Sequence, residues 1–122
     1  MSKEILIVDD DPVVVRLLES VLQGQGYRTA RAEDGLDALV KIKQQHPALV
    51  ILDIIMPEIN GYDVCCELRF NQDFEKIPII IVTEEEQEID DSVGKRVNIE
   101  YLHKPVDPEK LLEKVKMFLP EP

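Results

Sequence analysis

Residues 5–12 read Ile5-Leu6-Ile7-Val8-Asp9-Asp10-Asp11-Pro12, and this stretch decides the fold. Four consecutive apolar residues stop abruptly at three aspartates. A strand covered on both faces reads this way, because neither side needs polar residues and alternation disappears. Asp11-Pro12 then starts a helix: the carboxylate can cap free N–H groups, and proline suits the first helical position, where its missing N–H costs nothing. Val14, Leu17, Leu18, Val21 and Leu22 follow at helical spacing, and Gly24 and Gly26 close the helix.

The same unit recurs outward along the chain. Tyr27 to Ala32 reads as a second, more polar strand near a sheet edge, and Asp34-Gly35 starts a helix with Leu36, Leu39, Val40 and Ile42 inward. Leu49 to Leu52 is a third strand, ending on Asp53. The loop Met56-Pro57-Glu58-Ile59-Asn60-Gly61 leads into a helix with Val64, Leu68 and Phe70 inward. Pro78 to Val82 is a fourth strand, with proline at its first residue, where a missing donor is tolerated. Its run Ile79-Ile80-Ile81-Val82 is the most apolar in the chain and is expected at the centre of the sheet. A fourth helix over 84–95 offers only Ile89 and Val93 to a core. A short strand at Glu100 to Leu102 precedes the last helix, which starts at Asp107-Pro108 and turns Leu111, Leu112, Val115, Phe118 and Leu119 inward. Five strand–helix units in strict alternation predict an α/β fold, a doubly wound parallel sheet with helices on both faces.

At 122 residues and 44% apolar content the chain supports one domain with its own core, residues 1–122, with 119–122 the expected start of a tail or linker. Fourteen basic against 25 acidic side chains give a formal charge of −11. Such a surface repels nucleic acid and anionic lipid, so direct nucleic-acid binding is not expected. No apolar stretch is long enough to span a bilayer and no signal segment opens the chain. The two cysteines, Cys65 and Cys66, are neighbours and cannot bridge the fold, which fits a reducing, cytoplasmic setting.

In parallel α/β sheets the site lies beyond the carboxyl ends of the strands. Those ends carry Asp9 and Asp10, then Asp53, Thr83 and Lys104. Apposed carboxylates repel unless a cation joins them, and oxygen ligands of this kind suit Mg²⁺. Acids, a metal, a lysine and a hydroxyl together are equipment for handling a phosphoryl group, with a carboxylate available as nucleophile. Each residue also has a structural reading. Asp11 reads as a helix cap rather than a ligand. Thr83 followed by Glu86 fits a capping box. Lys104 can serve as a plain partner for the aspartates, and Tyr101 can be a static, half-buried ring. His46 and His103 lack metal-ligand spacing. The acidic run from Glu84 to Asp91 reads as a solvated helix face.

These residues in this order resemble the receiver domain of two-component response regulators, through Ile5 to Asp10, Leu49 to Asp53 with Met56-Pro57 and Gly61, Pro78 to Thr83, and Tyr101 to Pro105. The resemblance implies a flavodoxin-like fold of five strands in the order 2-1-3-4-5 flanked by five helices. It implies that Asp53 accepts a phosphoryl group from the phosphohistidine of a sensor histidine kinase or a histidine phosphotransfer protein. Asp9, Asp10, Asp53 and the backbone carbonyl of Ile55 would hold Mg²⁺, which Mn²⁺ can replace. Lys104 and Thr83 would contact phosphoryl oxygens, Tyr101 would swing inward behind the threonine, and the Lys104–Pro105 bond would be cis. The output would be a protein–protein switch on the face of the fourth helix, fifth strand and fifth helix, binding a target or a second copy. The chain would be no enzyme beyond its own phosphorylation and slow autodephosphorylation.

Two other functions compete. A Mg²⁺-dependent phosphohydrolase with an aspartyl-phosphate intermediate would use the same acids, but Ile55 stands where a second aspartate would act as acid–base. A degenerate receiver that binds its partner constitutively draws support from Glu84, where the family normally has a small residue. A nucleotide-binding protein lacks support, since no glycine-rich loop follows the first strand. Val97 also departs from the glycine common before the last strand. A carboxylate at Glu84 would crowd and repel a phosphodonor or fold back towards Lys104, and either effect slows phosphorylation, so Glu84→Ala is expected to be phosphorylated faster than wild type by the same donor. The resemblance implies that the position of Ile55 governs entry of the hydrolytic water; a branched apolar side chain there would shield an acyl phosphate, so Ile55→Asn is expected to lose its phosphate faster, and both rates are read by intact-mass spectrometry.

Overall fold

Helix starts are set by carboxylates that satisfy free backbone donors. The Asp11 carboxylate accepts from the Val13 N–H at 2.9 Å, that of Asp34 from Asp37 at 2.8 Å, and that of Asp107 from Glu109 at 2.9 Å. The computed structural model describes residues 4–53, 61–83 and 98–122. Their elements are β1 (Glu4–Val8), α1 (Pro12–Gly24), β2 (Arg28–Ala32), α2 (Gly35–Gln45), β3 (Leu49–Asp53), α3 (Gly61–Arg69), β4 (Ile79–Thr83), β5 (Ile99–His103) and α4 (Pro108–Phe118). The strands form one parallel sheet in the order β2-β1-β3-β4-β5. The helix expected over 84–95 lies outside the described residues, as do the loop at 56–60, Ile55, Glu84 and Val97.

Strand parity divides the core into two layers. Leu6, Val8, Val50, Leu52, Ile79 and Ile81 pack with Ala38 and Ile42 of α2 and Val64, Cys65 and Leu68 of α3. Ile5, Ile7, Leu49, Ile51, Ile80 and Val82 pack on the other face with Val15, Leu18 and Leu22 of α1 and Leu111 and Val115 of α4. Both β3 and β4 are buried at every position, yet β3 is the middle strand and β4 lies one place out. The most apolar run therefore marks an interior strand rather than the centre, because any strand with neighbours on both edges meets the same surroundings. The polar β2 is an edge strand, as its sequence implied.

The helix faces differ from the sequence expectation. Leu17, Leu36, Val40 and Phe70 are exposed, while Leu18, Leu22, Ile42, Val64 and Leu68 are buried as expected and are joined by Val15 on α1, Ala38 on α2 and Cys65 on α3. A helix laid on a sheet touches it along a strip narrower than its apolar stripe, and the residue at closest approach is often small. Flanking positions stay open unless a neighbouring helix covers them. In α4 the expectation holds, with Leu111 and Val115 buried and Leu112, Phe118 and Leu119 packed at the margin.

The C-terminal end is tied to the α1–β2 turn. Tyr27 Oη donates to the Leu119 carbonyl at 2.5 Å, and Gly26, at φ +91°, lies so near Pro122 that a Cβ would approach its Cγ to 3.2 Å. Burial raises the Tyr27 phenol above its ordinary value. The folded state thus prefers the protonated phenol, and the associated stability is complete below the unfolded value near 10 and is lost as pH rises through the folded value. Tyr27→Phe is expected to cost about 1 kcal/mol at pH 7 and to flatten the alkaline loss of stability, both measurable by urea denaturation across pH.

Candidate functional site

The register brings the strand ends together. Val8 pairs with Leu52, so Asp9, the next residue, comes alongside Asp53 at the carboxyl edge of the two central strands. Asp53 shares the parity of Leu49 and Ile51, which face α1 and α4, and Asp9 that of Ile5 and Ile7. Both carboxylates are almost completely buried. On the far side, Thr83 pairs with His103, and the Lys104 N–H donates to the Thr83 carbonyl at 2.8 Å, extending the β4–β5 ladder one residue past the strand. That bond fixes the backbone from which the lysine side chain reaches across the sheet edge. The Lys104–Pro105 peptide is cis.

The Lys104 ammonium lies 3.4 Å from Asp9 Oδ2 and 3.6 Å from Asp53 Oδ2. One cation thus serves two buried anions at ion-pair distance. A third carboxylate, that of the exposed Asp10, joins them: Asp9, Asp10 and Asp53 can each offer an oxygen within 4.8 Å of the others. Burial raises Asp9 above the usual carboxylate range; the Asp11 N–H and Lys104 oppose that effect, and Asp10 adds to it. Burial alone would lower Lys104, but Asp9 and Asp53 outweigh it and hold the ammonium above its ordinary value. The lysine is therefore fully charged near neutrality, while Asp9 stays only partly compensated for its burial. Such a set fits a hard divalent cation such as Mg²⁺, which takes one or two carboxylates and completes its shell with water and phosphate oxygens.

Asp11 proves to act twice, and neither role is ligation. Its carboxylate caps α1, while its backbone N–H donates to Asp9 Oδ1 at 2.9 Å and holds that side chain in place. The second role went unseen in the sequence, although an aspartate two residues before a helix start is the signal for such a turn. Thr83 is buried at the end of β4. Tyr101 is half-buried in β5, packed against the core layer on the α2–α3 side. His46 ends α2 in the left-handed conformation and packs on Phe74, with ring centroids 5.1 Å apart, while His103 is exposed at the end of β5.

A five-stranded doubly wound sheet with acids, a lysine and a hydroxyl at its carboxyl edge matches a known class of signalling domain. The family model of the response regulator receiver domain matches residues 5–116. The chain belongs to this family. It is 40% identical over 116 residues to Protein PilH of Pseudomonas aeruginosa, covering 94% of this chain and 96% of that protein. Among solved structures, TrrA of Thermotoga maritima, determined in complex with Mg²⁺–BeF, is 37% identical with a TM-score of 0.84 over 95% of this chain and 98% of its own. The Vibrio cholerae chemotaxis protein CheY4 is 28% identical with a TM-score of 0.85, covering 97% of this chain and 99% of its own. The chain spans about half the length of other curated relatives it matches. Among the described residues no helix is long and apolar enough to cross a membrane.

The raised Asp9 carboxyl has a thermodynamic sign. Its charged form is disfavoured in the ion-free fold, so its contribution to stability is largest at low pH and declines as pH climbs from the unfolded value of 3.8 through the folded one. At pH 7 without divalent ions, Asp9→Asn is expected to melt a few degrees above wild type. Saturating Mg²⁺ is expected to raise the wild-type melting temperature and to leave Asp9→Asn nearly unmoved, as differential scanning calorimetry would read.

Proposed function

We propose that Asp53 is the phosphoacceptor of a signalling switch. The observation that carries this reading is the shared lysine, a cation held within ion-pair distance of both Asp53 and Asp9 without a short bond to either. An Asp53 oxygen attacks the phosphorus of a phosphohistidine, the P–N bond breaks, and the freed imidazole nitrogen takes a proton from water. The product is an acyl phosphate on Asp53. Asp9, Asp10 and Asp53 would hold Mg²⁺ together with the Ile55 carbonyl, an expectation that falls outside the described residues. When bound, the ion neutralises charge on the phosphoryl oxygens. Lys104 then exchanges its Asp53 contact for a phosphoryl oxygen, and the Thr83 hydroxyl donates to another.

The phosphodonor is a sensor histidine kinase or a histidine phosphotransfer protein. A shallow cleft lined by Val14, Leu17, Lys104, Pro105 and Val106 adjoins the site. With the exposed Val13 and Leu17 it offers an apolar seat for the donor's histidine-bearing helix. The new phosphate adds charge and acceptor oxygens beside Thr83 and shifts the population between two packings of Thr83 and Tyr101. The readout is a target protein or second copy bound on the face of β5, α4 and the helix expected over 84–95. The chain is a signalling component of the cytoplasm, acting as one domain over 1–122 and catalysing nothing beyond its own phosphorylation and dephosphorylation.

The test is intact-mass spectrometry after incubation with Mg²⁺ and acetyl phosphate or phosphoramidate. A single phosphoryl adduct is expected in wild type, dependent on Mg²⁺ and absent from Asp53→Asn. Failure of wild type, Glu84→Ala and every donor to give an adduct would support constitutive binding, and multiple turnover of a small phosphate ester would support the phosphohydrolase.

A further inference from the structure

Three of the side chains that sequence periodicity turned inward stand exposed on one flank of the molecule: Leu36 at 50%, Val40 at 52% and Phe70 at 77%. They belong to two stripes with helical spacing. On α2 the stripe runs Leu36, Leu39, Val40; on α3 it runs Asp63, Cys66, Glu67, Phe70. A cleft of about 740 Å³ is lined by Leu39 of α2 and by Cys66 and Phe70, with Asp63, Glu67 and Asp73 among the polar residues around them; Leu36 and Val40 stand outside its lining. The cleft is separate from the acidic site at the carboxyl edge of the sheet, which none of its lining residues joins.

Exposing these side chains is costly to an isolated domain, since each leaves apolar area in water that burial would remove. The acids around them define what can cover the cleft. A second copy of this chain, with a net charge of −11, would bring the same Asp63, Glu67 and Asp73 against their counterparts or against an acidic surface elsewhere. A segment with apolar residues on one face and lysine or arginine at its margins matches both the floor and the rim. We propose that the α2–α3 cleft is a docking site for a basic amphipathic helix of a partner protein. Phe70 and Leu39 receive its apolar side chains, and Glu67 and Asp73 pair with its cations.

Cys66 makes the cleft directly readable, because it is exposed there while its neighbour Cys65 is buried. The probe is a synthetic Lys/Leu peptide with amphipathic helical spacing, compared with a scrambled peptide of identical composition. Cys66 alkylation by iodoacetamide is followed by intact mass, and backbone amide shifts are mapped by NMR on the full chain. The amphipathic peptide is expected to slow alkylation at least fivefold at saturation and to shift amides of α2 and α3. Phe70→Ser and Glu67→Lys, both surface changes remote from Asp53, are expected to weaken binding at least tenfold without altering the Asp53 phosphoryl adduct. Equal protection by the scrambled peptide, unchanged binding by Phe70→Ser, or shifts confined to other surfaces would overturn the proposal. So would concentration-dependent self-association, seen by sedimentation, that protects Cys66 without any peptide.

Discussion

The ammonium of Lys104, suspended between the carboxylates of Asp9 and Asp53, is the interaction on which the working end of this protein depends. Two buried anions cannot stand side by side at the edge of a sheet without compensation, because the surroundings that hold them rigid also deny them water. A single cation at 3.4 and 3.6 Å relieves part of that repulsion. With Asp10 beside them, the three carboxylates form a cluster whose oxygens suit a divalent ion. The site's chemistry follows from charge balance more than from any one residue type.

The rest of the fold serves that balance. Parallel pairing of β1 with β3 aligns Asp9 with Asp53, and pairing of β4 with β5, extended by the Lys104 N–H to the Thr83 carbonyl, fixes the lysine's origin. The Asp11 N–H grips Asp9 while its carboxylate starts α1, so the turn that ends the strand also aims the Asp9 carboxylate. Beneath this edge lie two close-packed apolar layers, with β3 and β4 buried throughout. The family relationship and the geometry agree on where to look, since both converge on the carboxyl ends of the strands.

Much of this was legible in the sequence. Continuous apolar runs gave β1, β3 and β4, because an interior strand of a parallel sheet with both faces covered has no solvent side. Asp-Pro and Asp-Gly pairs gave helix starts through capping chemistry that acts within a few residues, and the site acids could be named because they stand at strand ends. What escaped were properties set between elements. Leu36, Val40 and Phe70 fit an inward stripe, but whether a stripe is covered depends on how closely the helix approaches the sheet and on its neighbours. Ala38 and Cys65 are buried where those larger side chains are not, a choice hydrophobicity alone does not rank. The middle position of β3 follows from pairing order, and the link from Tyr27 to Leu119 spans 92 residues, beyond any local pattern.

If the shared lysine governs the site, removing it must alter how strongly the carboxylates attract a divalent ion. The decisive measurement is the Mg²⁺ dissociation constant of wild type and of Lys104→Met, by isothermal titration calorimetry at pH 8 and fixed ionic strength, where the freed acids remain ionised. The account predicts several-fold tighter Mg²⁺ binding in Lys104→Met, because a competing positive charge has been withdrawn from the same oxygens. Unchanged or weaker binding in a folded variant would mean that Lys104 and the ion do not compete for Asp9 and Asp53, and the charge balance described here would be wrong.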